Sequence, residues 1–245
     1  MDRYRFLVPA ITPGSVALPP AEAHHALRVL RLESGAPVQI FDGHGSWADG
    51  LLQASKKSAE VEIQRVIKDP PPQLQLTIAT AVPKGDRAEW LIEQVSQLNA
   101  AQVQWLDCDR GVVKPKEGGG KLEKWQRLAC ESAKQCGRNH LLKIHPLQSL
   151  EQVVQEAQDL RGGEKIIWWL EPRHGIPVRE AYEPLVPRLL NGQTVKLYAL
   201  IGPEGGWSPR EVELLEGIEQ IEPVKLTPTI LRIETACAAI AAIVG

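Results

Sequence analysis

The sequence lacks the features that mark membrane, secreted and zinc-binding proteins. None of its apolar runs approaches the roughly 20 residues of a membrane-spanning helix. Its first residues, Met1–Phe6, lack the apolar core of a signal peptide. The four cysteines form no CxxC pair, which argues against a zinc ribbon or a dithiol redox site. We therefore expect a cytoplasmic protein with no metal centre and no membrane partner.

Excess charge of either sign is also missing, because 28 Lys and Arg residues stand against 30 Asp and Glu residues, a net charge of −2. This balance excludes a uniformly basic nucleic-acid binder. It conceals a local excess, however, since residues 110–143 contain nine basic and three acidic residues. Such a run is either a solvated face or a phosphate-binding surface, which would bind RNA in a salt-sensitive way.

Three consecutive prolines, Pro70–Pro72, divide the 245 residues into two parts. Residues 1–70 contain short alternating strands, the turn signal Asp42–Gly43 and one helix near residues 22–31, which together predict a small β-barrel. Residues 73–245 alternate between strand and helix, which predicts an α/β domain with a parallel sheet covered by helices. The predicted strands are 76–82, 103–106, 165–170, 195–201 and 221–226; one helix begins at Asp86, and others span 122–136, 150–160, 179–190, 209–218 and 232–244.

A glycine-rich segment, Gly202–Gly206, follows the predicted strand that ends at Ile201. Ser208, Pro209 and Glu211 then form the N-cap, N1 and N3 positions of a helix. Ligands bind beyond the carboxyl ends of strands in open α/β sheets, and glycines let the backbone approach them closely. The segment is therefore either a ligand loop or a tight turn, and it matches neither the dinucleotide nor the Walker pattern.

A second loop, Leu226–Leu231, precedes a helix composed almost entirely of Ala, Ile and Val. Arg232 stands at the start of this helix, where its cation opposes the positive end of the helix dipole. Either an anionic ligand or transition state, or an ion pair with a nearby glutamate, would explain this placement.

The sequence resembles the small-subunit (16S) ribosomal RNA uridine-N3 methyltransferases of the SPOUT superfamily. The likeness runs in order along nearly the whole chain. It rests on the following motifs: Arg5, Ala23–Leu32, Phe41–Gly43, Lys84–Asp86 with Trp90, Arg110–Gly111, Glu131–Asn139, Gly202–Gly206 and Ile230–Ala236.

This resemblance implies a PUA-like RNA-binding β-barrel (1–70) joined to a SPOUT methyltransferase domain (73–245), whose C-terminal segment forms a trefoil knot. It also implies S-adenosylmethionine (SAM) held in the knot, 16S rRNA within the small subunit as substrate, and a homodimer. Implied cofactor-binding residues are Leu170, Glu171, Ile201, Gly202, Pro203, Glu204, Gly205, Gly206, Leu226, Pro228, Ile230 and Leu231. Arg232 matches the catalytic arginine, and the RNA-binding candidates are Arg5, Arg28, Arg31, Arg110, Lys114, Lys134, Arg138 and Asn139, with Lys116 in the same basic loop.

The chain departs from the family pattern at a few positions. Thr227, Thr229 and Ile233 replace a glycine, an arginine and a threonine of the cofactor loop and the helix after it. Asn99 replaces a glycine in the family's Glu-Leu-Gly-Val motif, and we expect it to keep the left-handed backbone, which asparagine tolerates better than other non-glycine residues. The changes in the cofactor loop leave open a non-catalytic RNA-binding relative, and the fold also permits a methyltransferase for another RNA.

Methylation of uracil N3 requires loss of its proton, which spreads negative charge onto the two flanking carbonyl oxygens. We expect the Arg232 guanidinium to stabilise that charge. Because arginine stays protonated, it is not the base. Glu204, water and spontaneous ionisation remain alternatives for that role.

Overall fold

A computed structural model describes residues 4–56, 58–115, 118–159 and 164–245. Lys116 and Leu160, which belong to a predicted basic loop and a predicted helix, lie outside these ranges. The chain divides into two units, one formed by residues 1–71 with Cys130–Leu141 and the other by residues 72–129 with 142–245. The segment Cys130–Leu141 thus belongs with the N-terminal part, although the sequence pattern put it in the second domain.

Alternating apolar residues build the sheet of the first unit, as the pattern in 1–70 predicts. In the last long strand Ala59, Val61 and Ile63 are buried while Glu60 and Glu62 are exposed. The described strands are β1 (Tyr4–Leu7), β2 (Gly14–Ala17), β3 (Pro37–Phe41), β4 (Ser46–Ala54), β5 (Ala59–Ile63) and β6 (Ile67–Lys68), in the order β1-β3-β4-β5-β2 with β6 beside β4. Of the pairs formed by these described strands, β1–β3 is parallel and the others are antiparallel.

The predicted helix near residues 22–31 is α1 (Pro20–His24), which continues as a wider π-helical turn, His25–Val29. Arg31 then adopts a left-handed backbone with φ 54°, which ends the helical segment. Ala23 and Ala26 face the core, so this element covers one side of the sheet.

The second unit contains a seven-stranded parallel sheet, which confirms the predicted α/β class. Its described strands are β7 (Leu74–Ala81), β8 (Gln102–Asp107), β9 (Lys143–Ser149), β10 (Glu164–Leu170), β11 (Ile176–Pro177), β12 (Val195–Ile201) and β13 (Ile221–Lys225), in the order β11-β13-β10-β12-β7-β8-β9. Since every pair is parallel, the carboxyl ends of β10, β12 and β13 lie at the same edge.

Helices follow most of these strands, at the predicted positions with small changes of boundary. They are α2 (Arg87–Gln97), α3 (Lys121–Cys136), α4 (Leu150–Asp159), α5 (Val178–Tyr182), α6 (Val186–Leu190), α7 (Pro209–Glu216) and α8 (Ile233–Val244). The predicted single helix 179–190 is wrong: a 3₁₀ turn at Glu183–Leu185 separates α5 from α6. Pro184 and Pro187 explain this break, because proline removes helical hydrogen bonds and clashes with the preceding turn.

Among the described residues, no helix combines the length and apolarity needed to cross a lipid bilayer. The core of the second unit is formed by buried residues of its strands and by the apolar faces of its helices, and Trp105 and Trp168 are among its largest fully buried side chains.

Candidate functional site

A cavity of about 580 Å³ lies at the carboxyl ends of β10, β12 and β13. This volume falls in the range of about 300–1,000 Å³ that small-molecule sites occupy. Three strand ends that are far apart in sequence line it together with the loops that follow them, and these segments contain all the predicted cofactor residues. Eleven of those residues line the cavity, namely Leu170, Glu171, Ile201, Gly202, Pro203, Glu204, Gly205, Gly206, Leu226, Ile230 and Leu231. Pro228, the twelfth, is exposed between the lining residues Thr227 and Thr229.

The glycine-rich loop, Gly202–Trp207, is held between β12 and α7. The loop is followed by the predicted capping box of α7. In this motif the Ser208 amide donates to Glu211 Oε2 at 2.7 Å, and the Glu211 amide donates to Ser208 Oγ at 3.2 Å. A Cβ at Gly202 would lie 2.8 Å from the Trp207 ring. Glycine is therefore required at Gly202 for the loop to fold back under Trp207.

The second loop, Leu226–Leu231, contains two of the departures from the family pattern, Thr227 and Thr229. The Thr227 hydroxyl donates to the Thr229 carbonyl at 2.7 Å, which closes a local turn at the cavity wall. Among the described residues, only Arg31 and Asn99 are non-glycine positions with positive φ. Thr227 is therefore unstrained, and Asn99, at φ 62°, has the left-handed backbone expected of it.

Arg232 is the N-cap residue of α8, and its side chain is an exposed part of the cavity wall. Among the residues that the structure describes, it forms no ion pair, so the proposed glutamate partner is not found. The nearby carboxylates face Arg87 instead, with Glu204 at 3.8 Å and Glu234 at 3.7 Å. The Arg232 cation is thus left available at the cavity mouth.

Several predicted RNA-binding residues form contacts within the first unit. Arg5 donates to the Ala133 carbonyl at 3.0 Å and to Asn139 Oδ1, and its guanidinium lies 4.5 Å from the Phe41 ring centre. Lys134 pairs with Glu22 at 2.6 Å and keeps only 9% of its side chain exposed. Burial also lowers the pKa of Arg138 to about 10. The Arg5 and Lys134 contacts thus join the segment Cys130–Leu141 to β1 and α1.

Other predicted RNA-binding residues are exposed. Arg28 and Arg31 lie at the end of the helical segment in the first unit. In the second unit, Lys114 pairs with Asp107 at 2.6 Å. Arg110 is directed toward the cavity and donates to the carbonyls of Gly205 and Trp207. No local pattern in the sequence signals this contact, because its partners are 95 and 97 residues away.

The cavity has the chemistry that SAM requires. The side chains of Leu170, Ile201 and Leu231 supply apolar walls suited to an adenine ring, while Glu171 and Glu204 supply carboxylates suited to the positive charges of the cofactor. The glycine-rich loop brings backbone close to the ligand space. The residues present therefore fit this cofactor.

Comparison with protein families agrees with this architecture. A family model described as an RNA methyltransferase domain matches residues 70–245, and a model described as an RNA methyltransferase PUA domain matches residues 18–64. The two matches follow one another along the chain, as the predicted parts do.

Individual proteins extend the likeness. A Synechocystis protein named ribosomal RNA small subunit methyltransferase E is 32% identical, and the match covers 95% of this chain and 74% of that protein. A Bacillus subtilis protein of the same name is 30% identical, and the match covers 88% of this chain and 83% of that protein. A Legionella pneumophila protein described as a methyltransferase, solved with SAM bound, has a TM-score of 0.85 and 27% identity, and covers 100% of this chain and 97% of that one.

Proposed function

The chain belongs to the RNA methyltransferase family whose domain model spans residues 70–245, and we propose that it transfers a methyl group from SAM to N3 of a uridine in 16S rRNA of the small ribosomal subunit. The observation that carries this proposal is the Arg232 cation, which forms no ion pair with any residue that the structure describes and lies at the mouth of a cavity lined by the predicted cofactor loops. The names of the Synechocystis and Bacillus subtilis relatives support ribosomal RNA as the substrate.

The residues that line the cavity would hold the cofactor. When bound, SAM supplies an activated methyl group to a nucleophilic atom. Positioning then provides much of the rate acceleration, and the backbone of Gly202–Gly206 and the Leu226–Leu231 loop performs that positioning.

Arg232 acts on the RNA base. Loss of the N3 proton spreads negative charge onto two carbonyl oxygens of uracil, and a fixed guanidinium stabilises that charge more than it stabilises the neutral base. N3 lies on the Watson–Crick edge, so the target uridine is unpaired or splayed out when it enters the site. Arg28, Arg31 and Lys114, with their exposed charges, are proposed to contact phosphates.

The proposal includes the knotted SPOUT topology and a homodimer acting in the cytoplasm. Two exposed apolar side chains belong to loops that contribute to the cavity wall: Ile230, a lining residue, is 76% exposed, and Val112, two residues after the lining residue Arg110, is 65% exposed. Burial against a second copy would remove both from water. Light scattering at micromolar concentration should give twice the mass of the chain, and a monomer mass would contradict the dimer.

The decisive experiment uses small subunits from cells in which the gene is deleted, so that the target nucleotide is unmodified. Incubation with methyl-labelled SAM, followed by digestion and mass spectrometry, should locate one methyl group on N3 of a 16S rRNA uridine. A methyl group at another atom or on tRNA would contradict the proposed specificity. If calorimetry gave no heat of SAM binding, the chain would instead be a non-catalytic RNA-binding relative.

A further inference from the structure

The loop that follows β8 contacts the glycine-rich loop at the cavity wall, through the lining residue Arg110. Arg110 Nη1 lies 3.1 Å from the Gly205 carbonyl oxygen and 3.0 Å from the Trp207 carbonyl oxygen, and it donates to both. The first carbon of the Arg110 side chain also packs closely on the Gly205 backbone, since a Cβ on Gly205 would lie 3.3 Å from Arg110 Cβ. One guanidinium therefore joins two points of the glycine-rich loop.

The residue before Arg110 fixes the end of the same loop. Asp109 Oδ2 accepts a hydrogen bond from the Ser208 hydroxyl at 2.6 Å, and the Asp109 amide donates to Glu211 Oε1 at 2.9 Å. Hydrogen bonds from Arg210 and Ser208 lower the pKa of the Asp109 carboxyl, so it stays ionised. Asp109 and Arg110 together hold the glycine-rich loop and the N-terminus of α7.

These bonds matter because the loop is intrinsically free to move. Three of its residues are glycines, which lose more conformational freedom on ordering than any other residue. Gly206 uses this freedom directly, at φ 70°. A loop that is already ordered in the free protein binds its ligand more tightly, because it loses less conformational entropy when the ligand binds.

We propose that Arg110 is a positioning residue of the cofactor site, which holds the Gly205–Trp207 backbone in the conformation that binds SAM. Its guanidinium acts on protein carbonyls, so its main effect is on cofactor affinity and its effect on RNA affinity is small. The inference rests on SAM being the cofactor. It also differs from the family-based expectation that Arg110 contacts RNA.

The test compares Arg110→Ala with Lys114→Ala, a cation in the same loop that has no hydrogen bond to the glycine-rich loop among those described. Calorimetry should show a SAM Kd about tenfold higher for Arg110→Ala, equal to about 1.4 kcal/mol. Arg110→Lys, which keeps a charged donor, should recover part of this affinity. RNA affinity and its salt dependence should be unchanged in Arg110→Ala and reduced in Lys114→Ala.

A SAM Kd for Arg110→Ala within about twofold of the wild-type value would overturn the inference, whatever happens to RNA binding. Hydrogen exchange provides a readout that needs no cofactor. Amides of the glycine-rich loop should exchange faster in Arg110→Ala and at the wild-type rate in Lys114→Ala. If wild-type protein bound no SAM, the proposed function would fail, whereas unchanged exchange in Arg110→Ala would contradict the positioning role itself.

Discussion

The side-chain amide of Asn139 donates a hydrogen bond to the carboxylate of Asp69, with Nδ2 2.7 Å from Oδ2. The other carboxylate oxygen accepts from Trp47 Nε1 at 3.1 Å, and Arg5 donates to the Asn139 side-chain oxygen. A continuous polar chain therefore joins the segment after α3 to both ends of the N-terminal sequence. The family resemblance implied that Asn139 binds RNA, whereas in the structure its side chain belongs to this series of hydrogen bonds.

The first prediction concerns the pH dependence that Asp69 gives to stability. Hydrogen bonds from Asn139 and Trp47 lower the pKa of Asp69 below its ordinary value. As the pH falls, the Asp69 carboxyl is therefore protonated in the unfolded chain before it is protonated in the folded protein. The contribution of ionised Asp69 to the free energy of unfolding is complete above about pH 4, and it is lost as the pH falls through the lower pKa of the folded state. In denaturant titrations, the stability difference between wild type and Asp69→Asn should shrink between neutral pH and pH ~3. A difference that is constant over this range would contradict the prediction.

A second prediction concerns the nearly buried ion pair between Lys134 and Glu22. Lys134→Ala leaves the Glu22 carboxylate without its cation, in a place where Glu22 Oε2 is already buried without a hydrogen-bond partner among the described residues. We expect a loss of about 3 kcal/mol in the free energy of unfolding, measured with denaturant. Lys124→Ala is the matched control on the same helix, because its pair with Glu89 is exposed and should contribute less than about 1 kcal/mol. Equal losses in the two variants would count against the argument.

A third prediction tests the left-handed backbone of Asn99. Asn99→Val should lower the stability by about 1–2 kcal/mol, since a β-branched residue is strained at positive φ. Asn99→Gly should leave stability nearly unchanged. Asn191→Val provides the control, because Asn191 also follows a helix but has φ −83°. A comparable loss at Asn191 would show that backbone strain is not the cause.

A fourth prediction separates catalysis from cofactor binding at Arg232. Arg232→Ala should lower the rate of methyl transfer by about 10²–10³, the effect of removing one fixed donor from a developing oxyanion. The SAM Kd from calorimetry should change much less, because the guanidinium is proposed to act on the uracil. Arg179→Ala, an exposed arginine on α5, serves as the control. An undiminished rate in Arg232→Ala would rule out the proposed role.

A fifth prediction concerns RNA binding by the first unit. Removing one phosphate contact from single-stranded RNA should reduce the slope of log affinity against log salt by about 0.7. We expect this change for Arg28→Ala and for Arg31→Ala, measured on ribosomal RNA fragments. Arg188→Ala should leave the slope unchanged, since Arg188 lies on α6 of the second unit and is not among the residues proposed to contact RNA. If Arg28→Ala and Arg31→Ala retained the wild-type slope, these arginines would not be phosphate contacts.

Local sequence patterns were sufficient to predict most of the strands and helices of the second unit. The apolar runs of β7, β10 and β12 are typical of strands buried on both faces. The edge strand β9 was missed because Pro146 interrupts it, and proline is tolerated in strands at an edge or an irregularity. That strand does lie at the end of the sheet, and its pairing with β8 is irregular near Gln104.

Long-range polar contacts could not be predicted in the same way. Two of the cavity loops, Gly202–Gly206 and Leu226–Leu231, were singled out because each follows a predicted strand, and parallel strands bring their ends together. The third, at Leu170 and Glu171, was implied only by the family resemblance. Arg5 and Arg110 stand out in the sequence only as cations, and their partners lie 128 and 95 residues away. The family resemblance assigned Arg5 to RNA, and the resemblance together with the local basic stretch assigned Arg110 to it, whereas in the fold both guanidinium groups donate to backbone carbonyls.

The membership of Cys130–Leu141 in the first unit has a consequence for biosynthesis. During translation, residues 1–71 leave the ribosome before residues 72–129, and Ala133 and Asn139 follow only afterwards. Domains generally fold as units in order of synthesis, but here Arg5 and Asp69 have to wait for partners encoded inside the next domain. A nascent chain stopped after residue 71 would therefore be incomplete, and a protease should cut it faster than a chain that has extended past Leu141.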